Sequence, residues 1–264
     1  MTGKRRNEKN GQEDEWLYGM ARPGKDWTAI LPSGVKLEMV WVEPGTFKIG
    51  SDNHHDDEKT LHKVTLSKGY WIGKYPFTQE QRKAIDASKG NSCYWNGDRL
   101  PVVCVSWNEA VECCEQLNGL LADNLQSGWH FSLPLGVQWE FAARGGVKSR
   151  GYKYSGSDNI GEVAWYDENA EGRTHEVGLL QPNELGIYDM SGNVLEWCHD
   201  WYGEFPLMSL MDPGPSYIGD PSREFRGGSY HHVAKDCTVT YRESCGTSWS
   251  SLYIGFRVVL VPIV

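Results

Sequence analysis

From Trp27 onward the chain alternates apolar and polar positions in short runs broken by glycine and proline. Residues 35–51, "VKLEMVWVEPGTFKIGS", keep the period-two pattern of a half-buried strand on both sides of Pro44-Gly45, which predicts two strands meeting at a tight turn. Residues 62–78, "HKVTLSKGYWIGKYPFT", predict a second strand pair. The period then changes to that of helices. Thr78 with Gln81 and Ser106 with Glu109 each match a capping box, in which two side chains satisfy each other's free backbone amides. Behind Ser106, the spacing of Ala110, Val111, Cys114, Leu117 and Leu121 predicts a core-facing stripe. A third helix, near "LGVQWEFAARGG", is expected to stop at Gly145-Gly146, where glycine can take the left-handed cap conformation. Beyond Gly146 no long periodic segment follows, only brief strand-like runs such as "CTVTY" and "YIGFRVVLV".

These elements predict an α+β fold with few helices, short antiparallel sheets and much irregular chain. Residues 1–24 are mostly charged and polar and read as a disordered or lead-in tail. With no repeat and no Ser/Pro-rich linker, residues 25–264 are expected to form a single domain.

Composition sharpens this picture. The 264 residues include 12 Trp, 13 Tyr and 30 Gly, which suits long connections pinned by large rings. A formal charge of -9 argues against nucleic acid as a partner, since binding it requires a basic surface to displace counterions. No stretch approaches the roughly 18 consecutive apolar residues of a membrane span, and the chain as given opens without the apolar segment of a signal sequence. Seven cysteines cannot all pair within one chain, and none shows the CxxC spacing of a zinc or redox site. Most are expected to be buried thiols acting as small apolar residues.

Five stretches, "LEMVWVEPGTFKIGS", "PVVCVSWNEAVECCEQLN", "SLPLGVQWEFAARGG", "NELGIYDMSGNVLEWCHDWYG" and "FRGGSY" through "GFRVV", stand in the order found in the formylglycine-generating-enzyme (sulfatase-modifying-factor) family. The resemblance runs from about residue 27 to 262 and implies a C-type-lectin-like fold. The family contains copper-dependent oxidases that convert a sulfatase cysteine to formylglycine. It also contains noncatalytic members, among them the variable proteins of diversity-generating retroelements.

The oxidases hold copper(I) between two soft thiolates. The resemblance places that pair two and seven residues after the aromatic of the "GGSY" motif, where this chain has His232 and Cys237. One thiolate is missing, so the chain is expected not to be an enzyme of this kind, the oxidase standing as the alternative. His231-His232 read as two exposed loop histidines, because neighbours on an extended chain face opposite ways. "HHDDE", residues 54–58, reads as a solvated loop. Cys237 is expected on a strand, facing the same way as Val239 and Tyr241. The resemblance also points to Asn193 and Glu196 of "SGNVLEW" as calcium ligands; no other cofactor is expected.

What remains resembles a contact surface. Tyrosine, tryptophan and histidine offer stiff amphipathic contacts, and serine and glycine adapt around them. Residues 226–264 contain no Asn or Gln, as in a segment whose asparagine codons have been diversified. The expected contact residues, within a binding segment 226–257, are His231, His232, Val233, Lys235, Asp236, Tyr241, Glu243, Ser244, Cys245, Ser248, Trp249, Ser251, Leu252 and Tyr253. They are held between Gly227-Gly228 and the apolar run Ile254, Phe256, Val258, Val259. The implied partner is a protein or other macromolecule, and the implied location is a cell surface or the extracellular space.

Overall fold

The computed structural model describes residues 19–51, 61–88, 94–203, 210–214 and 221–263. Most of the expected tail and the "HHDDE" run lie outside the described residues. Strands β1 (Trp27–Ile30), β2 (Lys36–Val42), β3 (Gly45–Ile49), β4 (His62–Leu66) and β5 (Tyr70–Gly73) come first. Helices α1 (Gln79–Ile85) and α2 (Trp107–Leu120), β6 (Trp129–Ser132), α3 (Gly136–Ala143) and α4 (Ile160–Val163) follow. The remainder carries β7 (Leu195–Trp201), β8 (Leu210–Met211), β9 (Ser222–Arg226), β10 (Arg242–Gly246), β11 (Ile254–Gly255) and β12 (Val259–Pro262).

Both expected capping boxes form. Thr78 N–H donates to Gln81 Oε1 at 2.9 Å, and Ser106 N–H donates to Glu109 Oε2 at 2.9 Å. On α2, Ala110, Cys114 and Leu117 are buried and Val111 is half-buried against the same core, with Leu121 buried just past the helix end, and the chain after α3 turns at Gly145 with φ +88°.

The strands of the first 78 residues are where the sequence places them, but their partners differ: β2 pairs with β1 and β5, and β3 with β4. Among the described residues the sheets run β1-β2-β5-β12-β6, β10-β9-β7-β11 and β3-β4-β8. Thus β2 and β3 part company at Pro44-Gly45, and so do β4 and β5 at Gly69. Close packing fixes both corners. A Cβ on Gly45 would stand 2.6 Å from the Phe141 ring, and one on Gly69 would overlap Trp41. Each link therefore carries the chain from one sheet to the next instead of folding it back.

Between the sheets lie two large apolar clusters, one around Trp71, Phe131, Trp197 and Phe256, the other around Ile72, Trp139 and Phe141. The last strand completes this core. β12 pairs with β5 on one side (Val259 with Ile72) and β6 on the other (Leu260 with Phe131), in the interior of the five-stranded sheet. Ile254, Phe256, Val258 and Val259 are all buried, so the chain that returns from the C-terminal loops is tightly anchored.

Candidate functional site

The C-terminal segment leaves the four-stranded sheet at Arg226, re-enters it as β10, and returns again at β11. Its exit needs glycine. Gly227 and Gly228 have φ +92° and +70°; a Cβ on Gly228 would sit 2.6 Å from Cys237 Sγ, and one on Gly227 2.9 Å from the Trp139 ring.

Each frame holds a fully buried arginine. Arg226 donates to Glu224 from Nε at 2.5 Å and lies 3.1 Å from Glu140 through Nη1. Arg242 also pairs with Glu224. Burial works against charge on Glu224, but the Arg242 and Arg226 guanidiniums outweigh it and hold its carboxyl below the ordinary range. At the far end, Arg257 donates to Glu196 from Nε at 2.6 Å and from Nη2 at 2.7 Å, and to Gly73 O at 2.8 Å. Buried pairs of this geometry fix position, because either partner alone would be an uncompensated charge.

Between the anchors the expected contact residues come to the surface. His231, Val233, Lys235, Glu243, Ser248, Trp249 and Leu252 are exposed; His232, Asp236, Ser244, Cys245, Ser251 and Tyr253 are half-buried. Tyr241 departs from expectation, being 8% exposed with its hydroxyl turned to Glu243 Oε2 at 2.8 Å. His232 is also more enclosed than a loop histidine. It shares a 2.7 Å hydrogen bond with Ser229 Oγ through Nδ1, and its Nε2 lies 3.8 Å from Glu243 Oε2. The His232 contact, with the Tyr241 hydrogen bond, holds the Glu243 carboxyl below its usual range despite partial burial.

Tyr253 gathers the rings. His231 stacks on it at 5.8 Å and 20°, while Trp249 and His232 meet it edge-on at 6.1 Å and 5.9 Å. Two further aromatics were not foreseen. Trp95 contacts Tyr230 edge-on at 5.5 Å and Tyr94 lies 6.1 Å from Trp95, although both belong to the link between α1 and α2. Nothing in their local sequence marks them; only the fold joins them to the segment.

"CTVTY" is not a strand. Ala234–Cys237 form a 3-10 turn whose backbone packs on Gly228, and the strand begins at Arg242. Cys237 is nonetheless the expected buried thiol, enclosed by Tyr154, Val163 and Tyr166, and burial pushes its pKa up to about 12. Cys245 packs against a different cluster, and burial likewise pushes it up to about 12. Here the donor set beside the "GGSY" motif is one protonated thiol and one imidazole whose nitrogens face Ser229 and Glu243, which does not fit cuprous copper. Among the described residues five cysteines are free, and Cys104, whose N–H donates to Ser251 O at 2.9 Å, is disulfide-bonded. The seventh, Cys93, lies outside the described residues.

Calcium does not fit Asn193 and Glu196 either. Both Glu196 oxygens already accept from Arg257, and Oε2 accepts from Trp139 Nε1 at 2.6 Å. The Asn193 amide spans the backbone of His175, accepting from its N–H at 3.0 Å and donating to its carbonyl at 3.1 Å. The motif is a structural brace whose oxygens are already spent on protein donors. Asn193, at φ +61°, forms the turn that feeds β7.

Residues 33–261 match the family model described as the sulfatase-modifying factor enzyme 1-like domain. The chain belongs to this family. It is 34% identical over 214 residues to the chaperone protein LppX of Paenibacillus barcinonensis, which covers 64% of this chain and 73% of that protein. It is 33% identical over 178 residues to the formylglycine-generating enzyme of Streptomyces coelicolor, covering 60% of this chain and 51% of that enzyme. The chain thus spans about half the length of that relative. The family's matched members also include a mouse protein named as an inactive formylglycine-generating enzyme. Among solved structures, Treponema denticola variable protein 1 superposes with a TM-score of 0.81 at 27% identity, over 91% of this chain and 100% of that one. The fold is therefore α+β and C-type-lectin-like, of the sulfatase-modifying-factor type. Among the described residues no helix is long and apolar enough to cross a membrane.

Proposed function

We propose that this protein is a noncatalytic binder of the sulfatase-modifying-factor family, which presents residues 231–253 to a protein or other macromolecular ligand. One observation carries the reading: 13 of the 14 expected contact residues reach the surface, between two anchors whose arginines are fully buried. Such a design lets the outer side chains vary while the core stays fixed. The likeness to a variable protein supports the same reading, and extends it to a segment diversified in the manner of retroelement variable proteins. The unsuitable donor set at His232 and Cys237 supports the absence of oxidase activity. A disulfide at Cys104 supports a place outside the reducing cytosol, in keeping with a cell-surface or extracellular protein. Residues 25–264 are read as one domain carrying this face.

The test sets the two family roles against each other. The purified chain is supplied with copper(I) and a sulfatase-type cysteine peptide, and the peptide thiol and any aldehyde are followed by mass spectrometry. An unchanged thiol is expected; aldehyde at multiple turnovers overturns the proposal. In parallel, a library randomised at His231, Val233, Ser248, Trp249 and Leu252 is expected to yield mostly folded proteins. A library that mostly fails to fold removes the argument from the anchors.

A further inference from the structure

The aromatic surface does not end with the C-terminal segment. Trp95 meets Tyr230 at 5.5 Å, Tyr230 meets His231 at 6.2 Å, and His231 stacks on Tyr253. Tyr94, beside Trp95, is 86% exposed, the most exposed large apolar side chain among the described residues. A ring so placed is covered by no part of the described fold. The backbone bond from Cys104 to Ser251 ties the α1–α2 connection to the loop that carries Trp249 and Leu252.

Within the segment the exposed charge is mainly acidic. Of the three Lys and Arg residues in 226–253, Arg226 and Arg242 are buried in ion pairs and Lys235 alone is exposed. Against it stand Asp236 and Glu243 from the segment, with exposed Asp167 and Glu168 beside them; Asp167 N–H donates to His232 O at 3.1 Å. The Glu243 carboxylate is half-exposed and steered by Tyr241 and His232. Rings with carboxylates at their margin suit a cation, whose charge lies over an aromatic face while a carboxylate completes the pairing.

Resting on the binding-face reading above, we propose that Tyr94 and Trp95 join the C-terminal segment in a bipartite face that receives a Lys- or Arg-bearing peptide segment of a protein partner. Tyr94 and Trp95 supply ring surface outside the segment. Glu243, with Asp236, supplies the countercharge.

Panning random displayed peptides against the immobilised full chain tests this. Selected peptides are expected to be enriched in Lys and Arg. Their synthetic copies are expected to bind Tyr94→Ala/Trp95→Ala and Asp236→Asn/Glu243→Gln variants about tenfold more weakly, in line with the loss of a desolvated cation–aromatic contact or a charge pair. The variants' Tm values, expected to stay near that of the parent, separate lost contact from lost fold. Peptides that need Trp249 and Tyr253 but carry no excess of basic residues overturn the ligand class and leave the binding face standing. Basic peptides indifferent to the Tyr94/Trp95 change overturn the bipartite face. Peptides indifferent to every substitution on the face, or no enrichment over a blank surface, overturn this inference together with the binding reading.

Discussion

Arg257 closes on Glu196 through two hydrogen bonds, 2.6 Å and 2.7 Å long, with both side chains fully buried. The two residues lie 61 positions apart in sequence, so the pair pins the C-terminal frame to β7. Glu196→Gln takes from the buried guanidinium the carboxylate hydrogen-bonded to it, leaving only the more weakly coupled Asp189, and is expected to cost about 3 kcal/mol. Urea unfolding of the variant and its parent checks this; a cost under about 1 kcal/mol would mean that the pair is not what holds the frame.

Because Arg257 and Trp139 occupy the Glu196 oxygens, calcium has no carboxylate to bind at this motif. A site with Kd near 10 µM would add roughly 2.7 kcal/mol of stability at a hundredfold excess of ligand, a rise of several degrees in Tm. The expected result is a Tm that changes by less than about 1 °C between millimolar calcium and EGTA. Differential scanning fluorimetry reads it directly.

Position, and not residue type, decides tolerance along the C-terminal segment. Gly228→Ala forces a side chain into a φ of +70° and against Cys237, and is expected to cost more than about 2 kcal/mol. His231→Ala, Ser248→Ala and Leu252→Ala remove exposed or half-covered groups and are expected to stay within about 0.5 kcal/mol of the parent. The contrast, measured by denaturant unfolding, fails if the surface changes destabilise as much as the glycine change.

That contrast also shows what a sequence can reveal. Local signals with a short-range cause were legible: the capping boxes at Thr78 and Ser106, the glycine stop after α3, the left-handed Gly227-Gly228. The surface placement of Trp249 and Leu252 followed from their lying between apolar anchors. Pairing was not legible, because β2 and β3 alternate as a hairpin would, yet join different sheets. "CTVTY" has the composition of a strand and was overruled by packing, since Gly228 lies against Asp236 and Cys237 and the chain must turn there. Trp95 joins the face through Tyr230, 135 residues away, a contact that no local pattern announces.

Asp189 provides a pH signature. It is fully buried at φ +56°, and burial raises its carboxyl to about 6, against the opposing hydrogen bond from Gly178 N–H and the charge of Arg257. The folded protein therefore holds a proton that the unfolded chain releases near pH 3.8. Its contribution to stability is full below that pH and is lost as pH rises to about 6, a change on the order of 3 kcal/mol. Asp189→Asn can keep the Gly178 bond without titrating. The difference in stability between Asp189→Asn and its parent is expected to shift in favour of the variant from pH 4 to pH 6 and then level off. A difference that stays flat across this range would mean that Asp189 is ionised throughout.

Thiol reactivity bears most directly on the choice between binder and oxidase. With pKa values pushed up to about 12 by burial, Cys237 and Cys245 are thiolates at pH 8 only to the extent of roughly one part in ten thousand. A copper-binding thiol would need to be ionised and reachable, and would alkylate within minutes. In the native protein at pH 8, iodoacetamide is expected to leave Cys237 unmodified and to label Cys245 slowly, while denaturant exposes both within the same interval. Peptide mapping by mass spectrometry resolves each site. Cys104 is expected to label only after reduction, since it is disulfide-bonded. Rapid labelling of Cys237 in the folded chain would mean a reactive thiolate at that position and return the oxidase to contention.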